Sequence, residues 1–202
     1  MITVLLSMSI FALIGAITPG PVNIIATSSG ATFGFVRTLP HILGATISYT
    51  LIVFIVGAGL AQLLSNTPQV TEILKYLGSG FLLYMAYKIA SARSDNNEIA
   101  EDSTPPIFIH GALCQGLNPK AWLVSMSGVS VFVMAQPETT TSFYLLAYTF
   151  ISFVSCFVGI SVWAVIGHLI KGLLAQPRRQ ILFNRVMGFL LSLTVLSILF
   201  EV

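Results

Sequence analysis

Long apolar runs, interrupted at a few points, set the pattern of this chain. Residues 1–36 carry no charged side chain. As one straight helix they would measure about 54 Å at 1.5 Å per residue, too long for a hydrocarbon core of about 30 Å. Thr18-Pro19-Gly20-Pro21 stands mid-run, so a break is predicted there. Residues 39–64 form a second uncharged run, long enough to span with tilt. Residues 65–69 (Ser-Asn-Thr-Pro-Gln) read as a turn. Residues 70–91 form a third run, with Glu72, Lys75 and Lys88 near its ends, where they snorkel. Residues 92–106 are polar, hold Arg93, Asp95, Glu98, Glu101 and Asp102, and close on Pro105-Pro106. They read as a solvated linker. Residues 107–134 form a fourth run, interrupted by Asn118-Pro119-Lys120. Gln136-Pro137-Glu138 reads as a loop and residues 142–170 as the fifth span. Residues 171–185 carry Lys171, Arg178, Arg179 and Arg185, and residues 186–200 form a short sixth span.

The runs are continuous rather than alternating, which predicts helices and not transmembrane strands. Composition agrees: 55% of the residues are hydrophobic and 8% are charged, with mean hydropathy +0.91. Soluble domains carry about 25% charged residues, so an integral membrane protein is expected. A soluble enzyme and a disordered chain are disfavoured. The net charge of +2 is too small to imply a nucleic-acid partner. The apolar stretch from Val4 to Ile17 has no Lys or Arg before it and no small-residue cleavage pattern after it. It reads as a retained membrane segment rather than a leader. Cys114 and Cys156 are far apart with no C-x-x-C pair, so they read as inert small apolar side chains.

The two sides of the polar linker resemble each other weakly. Gly80-Phe81-Leu82-Leu83 recurs as Gly188-Phe189-Leu190-Leu191, and Ile47-Ser48-Tyr49 as Ile151-Ser152-Phe153. The first and fourth runs both carry a proline break. The common order predicts an all-α fold of six transmembrane segments in two inverted three-helix repeats, within a single domain over residues 1–202. The repeats cover about 1–91 and 107–202, joined by linker 92–106. Inverted repeats with paired broken helices mark transporters, and the breaks point to the site. Lysine and arginine concentrate after spans one, three and five, which puts those loops in the cytoplasm and both termini outside if the first segment crosses fully.

The breaks carry the candidate chemistry. Proline lacks an amide hydrogen and clashes with the carbonyl four residues back. Pro19 and Pro21 therefore free carbonyls at Gly15 and Ile17, and Gly20 lets the chain turn. A helix starting near Pro21 exposes unpaired amides that suit a carboxylate. Thr18 and Asn23 stand close by. Unpaired backbone in a bilayer survives only inside protein or along a cavity; a packing kink is the blander alternative. Pro119 repeats the logic and frees the carbonyl of Gln115. Lys120 lies mid-run, where a lysine costs about 2.5–3.5 kcal/mol on insertion scales. It reads as a cation for a substrate carboxylate or a titrating group, with snorkelling as the alternative. Gln115 and Asn118 add neutral donors and acceptors, or serve as glue between helices.

His41, His110 and His168 lack metal-ligand spacing. His41 is the exception worth placing near the cavity, because it opens span two. Tyr49 and Tyr84 are further candidates to line a cavity. No Asp or Glu lies deep in a span, so an acidic proton relay has no sequence support. No catalytic constellation, metal site or cofactor is expected.

Thr18-Pro19-Gly20-Pro21-Val22-Asn23 and Leu117-Asn118-Pro119-Lys120-Ala121-Trp122, with Leu77-Gly78 through Lys88 and Phe183-Asn184-Arg185 before Gly188, resemble the LysE/RhtB family of bacterial amino-acid exporters. The resemblance covers nearly the whole chain. Residues 28–35 (SSGATFGF) and 163–169 (WAVIGHL) look most like the cysteine and O-acetylserine exporters within it. Tyr49 stands about where many members have an Asp, which fits a neutral substrate. The resemblance implies export of a small neutral amino acid (cysteine, O-acetylserine, homoserine or threonine) across the bacterial inner membrane by the proton motive force. It implies an amino-acid substrate, a coupling ion (the proton) and membrane lipid as partners, with a homodimer left open. Thr18, Gly20, Asn23, Gln115, Asn118 and Lys120 would bind substrate, with Pro19, Pro21 and Pro119 as hinge elements. Freed carbonyls near Gly15 to Thr18 and at Gln115 would receive the ammonium group. A divalent-metal exporter is the alternative; an intramembrane enzyme and a structural subunit are weaker ones.

Overall fold

The first 33 residues form two helices at an angle. The structure, a computed structural model, describes residues 1–60, 68–91, 104–174 and 176–200. Helix α1 (Ile2–Ile17) and helix α2 (Pro21–Phe33) are bent by 60° at the predicted break. Pro21 opens α2 at its first helical position, where no amide donor is needed. Gly34 ends α2 at φ +87, a conformation that favours glycine, and α3 (Phe35–Ile55) follows at once. It runs on through a wide turn, Val56–Leu60. Helix α4 is Pro68–Ser91. Helices α5 (Phe108–Gly116) and α6 (Pro119–Val129, with a wide turn Ser130–Met134) are separated by the second predicted break. Helix α7 (Glu138–Ile170) ends in a tight turn, Lys171–Leu174, and α8 is Pro177–Phe200. No strand occurs among the described residues.

Three boundaries depart from the sequence expectation. Helix α8 begins nine residues before 186: Pro177 starts it, and the Gln176 carbonyl accepts the first amides. Arg178, Arg179 and Arg185 therefore ride a helix rather than a loop. Glu138 opens α7, four residues before 142. Pro68 and Gln69 belong to α4, while 65–67 and linker positions 92–103 lie outside the described residues.

Every residue of α2 from Pro21 to Ala31 is buried, as expected of the central helix of a bundle. It packs mainly on α7 and α3; α3 also packs on α5 and α7, α1 on α7, and α4 on α8. Helices in lipid gain little hydrophobic drive from meeting, so close backbone approach decides their pairing. Glycines supply it here. A Cβ on Gly30 would strike the Ala164 carbonyl and one on Gly167 the Thr27 carbonyl, locking α2 to α7. Gly44 meets the Phe108 carbonyl and Gly111 the His41 carbonyl, locking α3 to α5. Gly159 lies against Ala16, and Gly188 against Ala86 and Ala90. Gly80, its partner in the sequence repeat, has open space where a Cβ would stand. The matched glycines therefore do not share a packing role.

Phe35–Gly59 and Thr139–Leu174 are each long and apolar enough to cross a membrane, and the bent α1–α2 pair passes the same test together. Leu6, Ile10, Leu51, Phe54 and Leu146 are among the large apolar side chains on the outside. A lipid-facing exterior requires that arrangement.

Candidate functional site

The two helix breaks meet. At the first, the last carbonyls of α1 have lost their helical donors and take others. Asn23 Nδ2 donates to the Ala16 carbonyl at 2.9 Å and the Thr18 carbonyl at 3.0 Å. Trp163 Nε1 donates to the Ile17 carbonyl at 3.0 Å. Lys120 Nζ, from the other half of the chain, donates to the Thr18 carbonyl at 3.0 Å and the Pro19 carbonyl at 3.5 Å. The Thr18 hydroxyl turns back to the Ile14 carbonyl. The Ala16, Ile17, Thr18 and Pro19 carbonyls each accept a side-chain donor here. Ile17, Thr18 and Pro19 stand at the surface of the bundle; within a bilayer no water relieves a freed carbonyl, so amide, indole and ammonium groups take that part.

The second break closes on itself. Asn118 is the N-cap of α6, its Oδ1 accepting the Lys120 backbone amide at 3.1 Å, a role that asparagine performs well. The Asn118 amide donates to the Gln115 carbonyl at 3.2 Å, so that carbonyl is also taken. Trp122 Nε1 donates to the Gly116 carbonyl at 2.8 Å. Asn118 Nδ2 lies 3.4 Å from Gln115 Oε1, and Gln115 Nε2 lies 4.0 Å from Cys156 Sγ.

Between the breaks is a cavity of about 40 Å³, room for about three water molecules. Gly20, Asn23, Gln115, Asn118, Lys120 and Tyr49 form its polar wall. Gly15, Ala16, Val22, Ala121, Val124, Cys156 and Ile160 complete it. Among the described residues the wall contains one cation, Lys120, and no carboxylate. Lys120 is half-buried and stretches past Gly20, where a Cβ would come within 3.5 Å of Nζ. That is ordinary contact distance, so the lysine chain lies directly over the Gly20 backbone.

The 18–23 and 115–120 motifs therefore converge on one place. Thr18, Pro19, Pro21 and Pro119 shape the breaks without lining the cavity. Tyr49 is buried in the wall, whereas His41 is not part of it. His41 is fully buried where α3 crosses α5. Eight residues separate it from Tyr49, about 12 Å along a helix. Tyr84 is 52% exposed with Lys88 over its ring at 5.8 Å, and it too lies off the cavity. Helix α4 gives α8 its alanine face at Ala86 and Ala90, which turns Tyr84 outward.

The LysE type translocator family matches residues 13–201. This chain belongs to that family. Family membership makes it an integral membrane transporter rather than an enzyme. Its relatives include proteins named cysteine/O-acetylserine efflux protein from Escherichia coli O157:H7, Escherichia coli strain K12 and Shigella flexneri serotype 5b. Each is 31% identical over 182 residues, covering 90% of this chain and 90% of the relative. No solved structure matches the chain.

Sequence reasoning missed three features of this translocator. Trp122 and Trp163 were not among the site candidates, yet each ties a carbonyl at one break. Their sequence signal was weak; only Trp122, four residues past Asn118, stands near a break in the chain. Cys156 read as inert and lies in the cavity wall. Among the described residues no three His, Cys, Asp or Glu side chains converge, so the metal-exporter alternative finds no ligand set there.

Proposed function

We propose that this translocator exports a small neutral amino acid or derivative of the cysteine and O-acetylserine kind. The observation that carries the reading is Lys120 Nζ resting on the Thr18 and Pro19 carbonyls at the edge of the cavity. A zwitterion exchanges with that contact. Its carboxylate draws Lys120 away, and its ammonium takes the Thr18 and Pro19 carbonyls that the lysine vacates. Asn23, Gln115 and Asn118 then hold the remaining polar atoms, and the amides opening α2 at Gly20 support the carboxylate. The absence of a carboxylate from the wall suits a substrate without a cationic side chain. The names of the relatives support the same substrate class.

A cavity of about 40 Å³ must widen to admit an amino acid, and the bent α1–α2 pair is the part that yields. The reading includes six membrane crossings in two inverted repeats, about 1–91 and 107–202 around linker 92–106. It also includes an inner-membrane location, lipid contact and coupling to the proton motive force, with a homodimer left open. Thr18 contributes through its carbonyl, and Pro19, Pro21 and Pro119 hold the breaks open.

The test is efflux of labelled cysteine, O-acetylserine, homoserine and threonine from loaded cells, with wild type and Lys120→Ala at matched membrane abundance. Efflux that is selective, abolished by an uncoupler and reduced about tenfold or more in Lys120→Ala is expected. A charge-assisted hydrogen bond is worth about 1.5–3 kcal/mol, and a tenfold change needs about 1.4. Wild-type efflux no greater than in cells lacking the protein would overturn the substrate class. Full efflux by Lys120→Ala would remove the lysine from the site.

A further inference from the structure

The cavity does not end the polar surface inside this bundle. From Cys156 in its wall, Ser152 and Tyr148 follow at four-residue intervals along one face of α7. Thr46 and Tyr49 face this stripe from α3, and Ser125 faces it from α6. Tyr49 lies beside Tyr148, Cys156 and Ser125; Thr46 lies beside Cys156, and Ser152 beside Tyr148. Thr46, Ser125, Tyr148 and Ser152 are all 0% exposed. None of their four hydroxyls has a partner at full hydrogen-bond distance and angle; their weaker contacts stay within the stripe, Ser152 with Tyr148, Ser125 with Tyr49 and Thr46 with Cys156. Small hydroxyl residues also serve helix packing, but a buried polar group ordinarily has a full hydrogen-bond partner. A surface that receives polar ligands in turn leaves its hydroxyls without one.

The stripe stops at an aromatic plug. The Tyr148 hydroxyl presses against Gly128 of α6, where a Cβ would strike it. The Tyr148 ring lies 5.9 Å from that of Phe132, which lies 5.5 Å from that of Phe11 of α1. Cys156 to Tyr148 is eight residues, about 12 Å of helix. The direction is toward the start of α7, the outer side by the bias of lysine and arginine.

We propose that these hydroxyls form a second station on the transport route, taking the zwitterion on its way out, and that Tyr148 with Phe132 and Phe11 closes the exit. This rests on the exporter reading. Gly128 leaves room for the tyrosine in the closed state. Tilting of α1, bent at its break, withdraws Phe11 from Phe132. The break that holds Lys120 is thereby linked to the plug, which Phe11 meets midway along the same helix.

The native Cys156 tests this. In a Cys114→Ala background, whole cells are exposed to a membrane-impermeant cationic thiosulfonate, and the labelling rate of Cys156 is measured. The experiment is repeated in Tyr148→Ala and Phe132→Ala, and with inside-out vesicles. Slow labelling from outside is expected with the plug intact. Either plug variant should speed it about tenfold or more, the gain expected when a minor open state becomes common. An excess of cysteine-free substrate, O-acetylserine, should slow it again. Two plug variants guard against one that fails to fold, and folded abundance is checked by monodispersity in detergent. An unchanged rate in both folded variants overturns the gate. Acceleration only in inside-out vesicles overturns its assignment to the exit. The labelling result stands apart from efflux. Wild-type cells that export no amino acid would sink the functional reading, whereas an unmoved rate with Lys120-dependent efflux intact would sink only the second station.

Discussion

The two helix breaks solve one chemical problem in different ways. Both interrupt a helix beside a proline, and both leave carbonyls without helical donors. The second break satisfies its own: Asn118 caps α6 and takes the Gln115 carbonyl, and Trp122 ties the Gly116 carbonyl from six residues away. The first break borrows. The Ile17 carbonyl depends on Trp163 of α7, and the Thr18 and Pro19 carbonyls depend on Lys120 of α6. Only Asn23 is local. Local bonds survive relative motion of the helices and borrowed ones do not. On the proposed reading the second break is a platform and the first a moving part, held shut by contacts that a substrate would replace.

The largest effect that would sharpen this contrast belongs to Asn23. Asn23→Ala strips the Ala16 carbonyl of its donor and leaves the Thr18 carbonyl to Lys120 alone. An orphaned part-buried group costs up to about 1–3 kcal/mol, which lowers Tm by roughly 4–8 °C for a loss near 2 kcal/mol. Thermal unfolding in detergent measures it, and a Tm equal to wild type would break the account of the first hinge. Asn118→Ala removes a helix cap, for a smaller loss of about 1 kcal/mol in the same measurement. A larger loss than that of Asn23→Ala would reverse the comparison.

The tryptophans come next. Each Trp→Phe change removes one hydrogen bond within the membrane, about 0.6 kcal/mol on average, so neither should unfold the chain. Trp163→Phe loosens a contact that spans helices and should alter efflux; Trp122→Phe loosens a local one and should leave it near wild type. Equal effects on initial efflux rates would erase the distinction. The smallest effect is expected of Tyr84→Phe, whose exposed ring lies off the cavity. Its efflux should match wild type, and a clear loss would mean that α4 lines a route not seen here.

Both breaks were legible because proline and glycine act through covalent geometry, which needs no knowledge of neighbours. Lys120 was legible because a charge in an apolar run is expensive wherever it ends up. The start of α8 was not: Arg178, Arg179 and Arg185 read as loop because charge marks solvent and interface alike. The occupants of the α1 carbonyls were invisible because Trp163 and Lys120 lie more than 100 positions away in the chain. The hydroxyl stripe was hidden for another reason. Tyr148, Ser152 and Cys156 share a face at helical spacing, but small polar residues at that spacing serve interhelical packing equally well. The carboxylate-free wall around Tyr49 followed from the sequence, whereas His41 and Tyr84 depended on how α3 and α4 are rotated by their glycine and alanine contacts.

The chain's two tryptophans stand one at each break, which offers the most direct test. In Trp122→Phe, Trp163 alone reports the first break; in Trp163→Phe, Trp122 alone reports the second. Each purified variant is titrated with O-acetylserine and its emission recorded, with and without Lys120→Ala. Trp163 emission should shift saturably and lose that response in Lys120→Ala, while Trp122 emission stays nearly constant. A response from Trp122 with none from Trp163 would contradict the account, placing the moving part at the break described here as fixed.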